Sequence, residues 1–151
     1  MTGDSIPIQD HVSRLVKATD VDASGRVQGS AFLLKDHLDG VSTHWIEQLA
    51  QPTREAALRM ILDLLGTRMK IGATRQLAVV NAGAAIDAVN TAKTGGWPLT
   101  VVEDPILPPP CLDAAHTLAV VHPIEVHKEH DMLIAELLAQ EVISVHSVSD
   151  L

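Results

Sequence analysis

The chain has 151 residues, a length that fits one domain with a buried core. Hydrophobic residues make up 46% of it but aromatic residues only 2%, so we expect an aliphatic core without the aromatic platforms that stack on single-stranded nucleic acid. The formal net charge is -8 at pH 7, and the eleven basic residues are scattered, which argues against a nucleic-acid partner. We therefore expect a single small domain over residues 1–151 that does not bind nucleic acid.

The location of the protein is indicated by three features of the sequence. A single cysteine excludes an intramolecular disulfide and fits a reducing compartment. The N-terminus lacks a basic region followed by an apolar run, so no secretory signal is expected. The apolar runs are far shorter than the roughly 20 residues that cross a bilayer. These features predict a cytoplasmic protein that is not associated with a membrane.

The first third of the chain contains three candidate elements. Residues 11–18 have apolar residues at helical spacing but are followed by turn-forming residues, so helix and strand remain alternatives. Residues 27–35 predict a strand with an internal glycine. Ser42 or Thr43 is a suitable N-cap for a short helix over 43–50.

The clearest element is a helix over residues 52–66, with a proline at its start and a glycine at its end. Charged residues spaced by four form one solvated stripe along it: Glu55, Arg59 and Asp63. Apolar residues cover most of the remaining circumference, which predicts burial on more than one side. We therefore expect a homodimer, or a complex with another protein, in which Trp45, Leu58 and Leu62 contribute to the contact.

Strand and helix patterns alternate through the second half of the chain. They predict, in chain order, a strand over 76–80, a helix over 83–93, strands over 99–102 and 117–121, and a helix over 128–142. The prolines of residues 104–110 predict a stiff, extended connector. The whole pattern predicts an α/β or α+β domain with four to five short strands and about four helices. The turn after residue 80 lacks the glycines of a dinucleotide fingerprint and the lysine of a phosphate loop.

Four histidines lie between residues 116 and 130, among several carboxylates. A metal site made from His122, His127 and His130 is geometrically open, but the segment lacks the two histidines four apart with an intervening glutamate that catalytic zinc helices use. We favour a solvated helix start there and expect no metal or cofactor. His116 differs, because it begins a strand just after the proline connector and is held at the rim of a sheet. It is a candidate catalytic residue, with a hydrogen-bonded structural histidine as the alternative.

Other candidates for chemistry are an arginine and several serines. Arg14 would hold an anion, although a surface salt bridge is the simpler use of such a residue. Ser13, Ser30 and Ser42 are possible nucleophiles, but none of them stands in a nucleophile elbow. The sequence therefore contains no complete catalytic set.

A loose series of residues extends over most of the chain. It consists of Arg14, Ser30-Ala31-Phe32, Val41-Ser42 followed by Trp45-Ile46-Glu47, Asp104-Pro105 and Ala115-His116. The series resembles a pattern in short, functionally uncharacterised bacterial single-domain proteins. That resemblance implies a single small domain that shares this series of Arg, Ser, Glu and His, and it directs attention to His116. It implies no activity, cofactor or partner.

Two functions from different classes follow from these observations. The first is a non-enzymatic accessory or protein-interaction module of a bacterial cytoplasmic system, because an apolar helix is present and a catalytic set is not. The alternative is a small hydrolase or transferase that acts on a nucleotide-like substrate through His116, with Arg14 as the anion holder. The distance between Arg14 and His116 separates the two, since only close side chains would form a shared site.

Overall fold

The computed structural model describes residues 3–35, 38–92, 97–106 and 113–151. Its strands are β1 (His11–Val16), β2 (Val41–Trp45), β3 (Gln76–Asn81), β4 (Leu99–Glu103), β5 (His116–Val121) and β6 (Val142–Ser147). Its helices are α1 (Arg54–Gly66), α2 (Ala82–Asn90), α3 (Ile124–Glu129) and α4 (Asp131–Gln140).

The strands of the described residues form one antiparallel sheet in the order β4-β5-β2-β1-β3-β6. The protein is therefore an α+β domain, one of the two predicted classes. About four helices were predicted, and the described part of the chain has four. The prediction of four to five strands was too low, because neither β2 nor the C-terminal strand β6 was recognised.

The two faces of the sheet are covered differently. Helices α2, α3 and α4, with a 3-10 turn at Gly29–Phe32, pack on one face and enclose the main core. Helix α1 packs on the opposite face, which we call the α1 face. There its apolar residues meet side chains of β1 and β3 in a second cluster that includes Leu58, Ile61, Leu65, Leu77 and Val79. In the ranges described, no helix has both the length and the apolar character needed to cross a membrane.

Two predictions in the first third of the chain were wrong. The strand over 27–35 is a single bridge at Val27 followed by the 3-10 turn. Gly29 packs closely against α4, where an added Cβ would lie 2.8 Å from Cγ of Glu136, so the glycine marks a close contact rather than a strand. The helix over 43–50 is instead β2 and a short 3-10 turn at Glu47–Leu49, because β2 pairs with both β1 and β5. Residues 11–16 form a strand.

The predictions for the remaining elements were mostly confirmed. The helix over 52–66 and the strands over 76–80, 99–102 and 117–121 are present within one or two residues. The helix over 83–93 corresponds to α2, and residue 93 lies outside the described residues. The helix over 128–142 is two helices that meet at His130, and its last residue begins β6. Of the connector over 104–110, residues 107–110 lie outside the described ranges.

The environment of α1 differs from the expectation of burial on several sides. Leu58 is fully buried within this chain by its own sheet, so none of its surface is left for a partner. Leu62 is partly buried against the same cluster. Met60, on the outer side of the helix, is exposed, and the charged stripe is confirmed by the 2.9 Å ion pair between Arg59 and Glu55. Helix α1 is therefore an amphipathic helix with one buried face.

Candidate functional site

Polar side chains gather on the α1 face, beyond the end of the apolar cluster. The register of the sheet places them there, because residues that are directly opposite each other in an antiparallel pair project to the same side. Ser13 of β1 is opposite His44 of β2, and His44 is opposite His116 of β5. Ser42, two residues before His44, lies on this face as well, because side chains alternate along a strand.

The first group in this cluster is a chain of hydrogen bonds through His116. Oγ of Ser42 lies 2.6 Å from Nε2 of His116. On the other side of the ring, Nδ1 lies 2.8 Å from the carbonyl oxygen of Asp104 and 3.2 Å from its carboxylate Oδ2. A hydroxyl, an imidazole and a carboxylate are thus connected in the order that serves nucleophilic catalysis in many hydrolases.

The hydrogen bonds determine which ring nitrogen of His116 carries the proton. The carbonyl oxygen of Asp104 can only accept, so Nδ1 holds the proton and donates it. Nε2 then has a free lone pair and accepts from the hydroxyl of Ser42. Burial lowers the pKa of His116, the hydrogen bond and charge of Asp104 partly raise it, and the charges of His44 and Arg68 lower it again. The net effect is a pKa below the usual value, so at neutral pH the ring is in its base form.

The second group lies directly beside the first. Nε2 of His44 is 2.5 Å from Oδ2 of Asp113, and Nη2 of Arg68 is 3.2 Å from the same oxygen. Nη2 of Arg68 is also 3.4 Å from Nε2 of His44. The rings of His44 and His116 meet edge to face, with centroids 5.5 Å apart. The two groups are therefore one continuous cluster.

Asp113 is the buried carboxylate of this second group. Burial by itself would raise its pKa, but the hydrogen bond from His44 and the charges of His44, Arg68 and His116 outweigh this effect. The pKa of Asp113 therefore stays below the usual value, and the side chain is a carboxylate at neutral pH. Its second oxygen, Oδ1, accepts from the backbone N–H of Ala115 at 3.2 Å.

The structure does not bring the side chains of Arg14 and His116 together. Arg14 follows Ser13 in β1, so its side chain projects to the face opposite that of His116. There it donates from Nε to the carbonyl of Ala31 at 2.9 Å and from Nη1 to the carbonyl of Ser42 at 2.8 Å. Arg14 thus connects β1 with β2 and the 3-10 turn inside the main core. It is not placed to hold an anion beside His116.

The three histidines of the alternative metal site serve separate purposes. His127 is fully buried, and its Nδ1 accepts from the backbone N–H of Val121 at 3.1 Å. His130 stacks on Trp97 with ring centroids 4.7 Å apart, while His122 is exposed. In the part of the chain that the structure describes, no group of three or more His, Cys, Asp or Glu residues is placed to hold a metal ion.

Other residues of the predicted series lie near the site or support it. Nε1 of Trp45, a half-buried residue, donates to Asp10 at 2.8 Å and so fixes the end of β2 to the start of β1. Glu47 accepts from both the backbone N–H and Nδ1 of His11, each at 2.7 Å. These bonds hold β1 and β2 in register, and the register in turn places Ser13, Ser42 and His44 on one face.

The sequence pointed to part of the site and missed the rest. His116 and Ser42 were candidates, but their partnership was not predicted. His44, Asp113 and Arg68 were not among the candidate site residues. A strand prediction for residues 41–45 would have placed Ser42 and His44 on the same face, since residues two apart share a face. Nothing local could have indicated Arg68, which reaches the cluster from the turn after α1.

No known family model matches this chain, and no curated protein or solved structure matches it either.

Proposed function

We propose that the protein is a small hydrolase or transferase in which Ser42 is the nucleophile and His116 its general base. One observation carries the proposal, namely the 2.6 Å contact between Oγ of Ser42 and the unprotonated Nε2 of His116. A serine hydroxyl is a weak nucleophile unless a base is positioned to remove its proton. The hydroxyl is half-buried, and the Asp104 side chain behind the imidazole is 39% exposed, so the group lies at the protein surface and within reach of a small substrate.

The geometry supports a two-step reaction. Oγ of Ser42 attacks an electrophilic carbonyl carbon or phosphorus while Nε2 of His116 takes the hydroxyl proton. The imidazolium that forms is stabilised by the carboxylate of Asp104, 3.2 Å from Nδ1. The ring then gives this proton to the leaving group as its bond to the carbon or phosphorus breaks. In the second step the ring deprotonates water or another acceptor, which attacks the same atom, and the proton returns to Oγ of Ser42 as the bond to Oγ breaks. Such general-base catalysis contributes about 10²- to 10⁴-fold to a rate.

The competing function, a protein-interaction module, has less support. It depended on an apolar face formed by Trp45, Leu58 and Leu62. Leu58 is buried in the chain's own core, Leu62 is largely covered by the same cluster, and Trp45 is half-buried with its N–H engaged by Asp10. The polar cluster is the better developed feature, and for that reason we propose an enzyme.

The proposal is tested by labelling with a fluorophosphonate, which forms a covalent adduct with an activated serine. We expect one adduct on Ser42, located by peptide mass spectrometry, and we expect slow hydrolysis of p-nitrophenyl esters. Ser42→Ala and His116→Asn should remove the adduct and lower hydrolysis at least about 100-fold.

Matched variants serve as controls for this experiment. Ser30 is an exposed serine that donates to Asp20, and His122 is an exposed histidine outside the cluster. Ser30→Ala and His122→Asn should therefore label and hydrolyse like the wild type. An adduct that never forms on Ser42, or that persists unchanged in His116→Asn, would show that the contact is structural.

A further inference from the structure

We infer that Arg68 forms an anion-binding subsite beside Ser42, and that the substrate carries an oxyanionic group of the phosphate or carboxylate type. The inference rests on the proposed function, because it names the substrate class of that site. It also moves the anion-holding role from Arg14, which lies on the opposite face, to an arginine in the turn that follows α1.

The position of Arg68 places its charge next to the reacting groups. Its side chain is 24% exposed and so is partly accessible to solvent, while Nη2 contacts the buried carboxylate of Asp113. Nη2 also contacts His44, whose ring meets that of His116. A single imidazole therefore separates the guanidinium from the catalytic base.

The hydrogen bonds of Arg68 are incompletely used. A guanidinium has five N–H donors, and a structural pair with a carboxylate normally uses two of them in a fork. Among the described residues, only Nη2 bonds to another side chain, and it does so at 3.2 Å. Within that part of the chain, Nε and Nη1 thus have no hydrogen-bond partner and remain as donors for a ligand.

Asp113 does not take up these donors, because Arg68 contacts only its Oδ2 and does so through Nη2. Oδ2 receives His44 and Arg68, and Oδ1 receives the backbone N–H of Ala115. A further donor lies on the same face. The hydroxyl of Ser13 is buried directly across from His44 and finds no hydrogen-bond partner among the described residues. Among the described residues, Arg68 and Ser13 therefore have hydrogen-bond donors that no protein acceptor uses, and an oxyanion is a group that can accept from them.

Binding of inorganic phosphate and of succinate tests the inference without any need for catalysis. Titrations of the full chain, followed by NMR of the backbone amides, should show saturable shifts at Ser13, His44 and Arg68. Arg68→Gln should weaken binding by about tenfold or more, since a charge-assisted bond is lost. Arg59→Gln, in an exposed arginine of α1, should bind like the wild type. Whichever of the two anions binds with the higher affinity identifies the class of group on the substrate.

A second measurement separates this inference from the proposed function. With a neutral ester and an anionic ester of p-nitrophenol, Arg68→Gln should raise KM for the anionic ester only, and Ser42 should still take the fluorophosphonate. If Arg68→Gln does not fold, Arg68→Lys replaces it in the test. Lysine keeps the positive charge but lacks the paired N–H groups with which a guanidinium binds an oxyanion, so a smaller loss of anion affinity is expected. Labelling of Ser42 together with anion binding that does not depend on residue 68 would overturn the inference while leaving the proposed function intact. Absence of saturable binding of either anion up to about 100 mM would also overturn it.

Discussion

His116 and His127 are both buried histidines, and their neighbours give them different roles. His116 bonds through Nε2 to the hydroxyl of Ser42 and through Nδ1 to Asp104. Nε2 can therefore take up a proton while the negative charge of the Asp104 carboxylate stabilises the imidazolium. His127 accepts a backbone N–H through Nδ1, which leaves the proton on Nε2. That atom is buried without a hydrogen-bond partner among the described residues, and Asp131 is 3.7 Å away. His127 is therefore a structural residue whose burial favours the neutral form of the ring.

This difference predicts how stability depends on pH. Burial lowers the pKa of His127 below its value of about 6.5 in the unfolded chain; the charge of Asp131 partly raises it and that of His122 lowers it. The unfolded state therefore binds the proton first as the pH falls, and the folded state loses stability below about pH 6.5. Each such histidine contributes a slope of at most about 1.4 kcal/mol per pH unit. We expect the free energy of unfolding, measured with urea, to fall as the pH is lowered below about 6.5.

A variant assigns part of that slope to His127. Asparagine presents an amide oxygen near the position of Nδ1 and does not titrate, so His127→Asn should reduce the slope while it keeps the bond to Val121. His122→Asn, in an exposed residue, should retain most of it. A profile for His127→Asn that is parallel to the wild type would mean that His127 is not one of the groups responsible.

At the scale of the element, the sequence predicted that α1 is a helix but did not predict what the helix packs against. Local signals located the helix and its charged stripe. Its N-cap is Thr53, whose hydroxyl accepts from the N–H of Ala56, and Gly66 is its last helical residue. Whether its apolar residues face a partner chain or the protein's own sheet depends on the sheet, which assembles from residues distant in sequence. The pairs of β1 with β3 are separated by sixty or more residues, as in Val12 and Val80.

The buried face of α1 gives a direct prediction for two residues of similar size. Leu58 is fully buried, and Met60, two positions along, is 37% exposed. Leu58→Ala should lower the free energy of unfolding by about 2–5 kcal/mol, because it leaves a cavity in a packed core. Met60→Ala should lower it by less than about 1 kcal/mol. Chemical denaturation of the two variants checks this, and comparable losses would mean that α1 is not seated on the sheet by Leu58.

At the scale of the whole molecule, charge governs solution behaviour. The chain carries a formal charge of -8 at pH 7 with neutral histidines, and eight histidines gain protons as the pH falls. Net charge should approach zero near the sequence pI of 5.3, and electrostatic repulsion between molecules should vanish there. We expect a minimum of solubility close to that pH, measured as protein left in solution after centrifugation. Constant solubility from about pH 7 to 5 would contradict the prediction.

The sequence by itself determined the features that depend on residues close together along the chain. The composition predicted an aliphatic core, and local periodicity predicted α1, α2, β3, β4 and β5. The sequence also singled out His116, which begins β5. The errors at β2 and β6 do not come from a weak strand signal, because both strands contain several β-branched residues. Ser42 and Thr43 in β2 were interpreted as a helix N-cap, and pairing with β1 and β5 overrides that local preference.

Only the tertiary structure decided the composition of the site. Strand pairing places Ser42 and His116, 74 residues apart, in hydrogen-bond contact, and it sends Arg14 to the other side of the same sheet. Arg68 and Asp113 are 45 residues apart in sequence. They meet because Arg68 follows the end of α1 and Asp113 precedes the start of β5. The physical reason is the alternation of side chains in a strand, since a shift of one residue exchanges the two faces. A list of chemically suitable residues cannot reveal which of them share a face until the register is known.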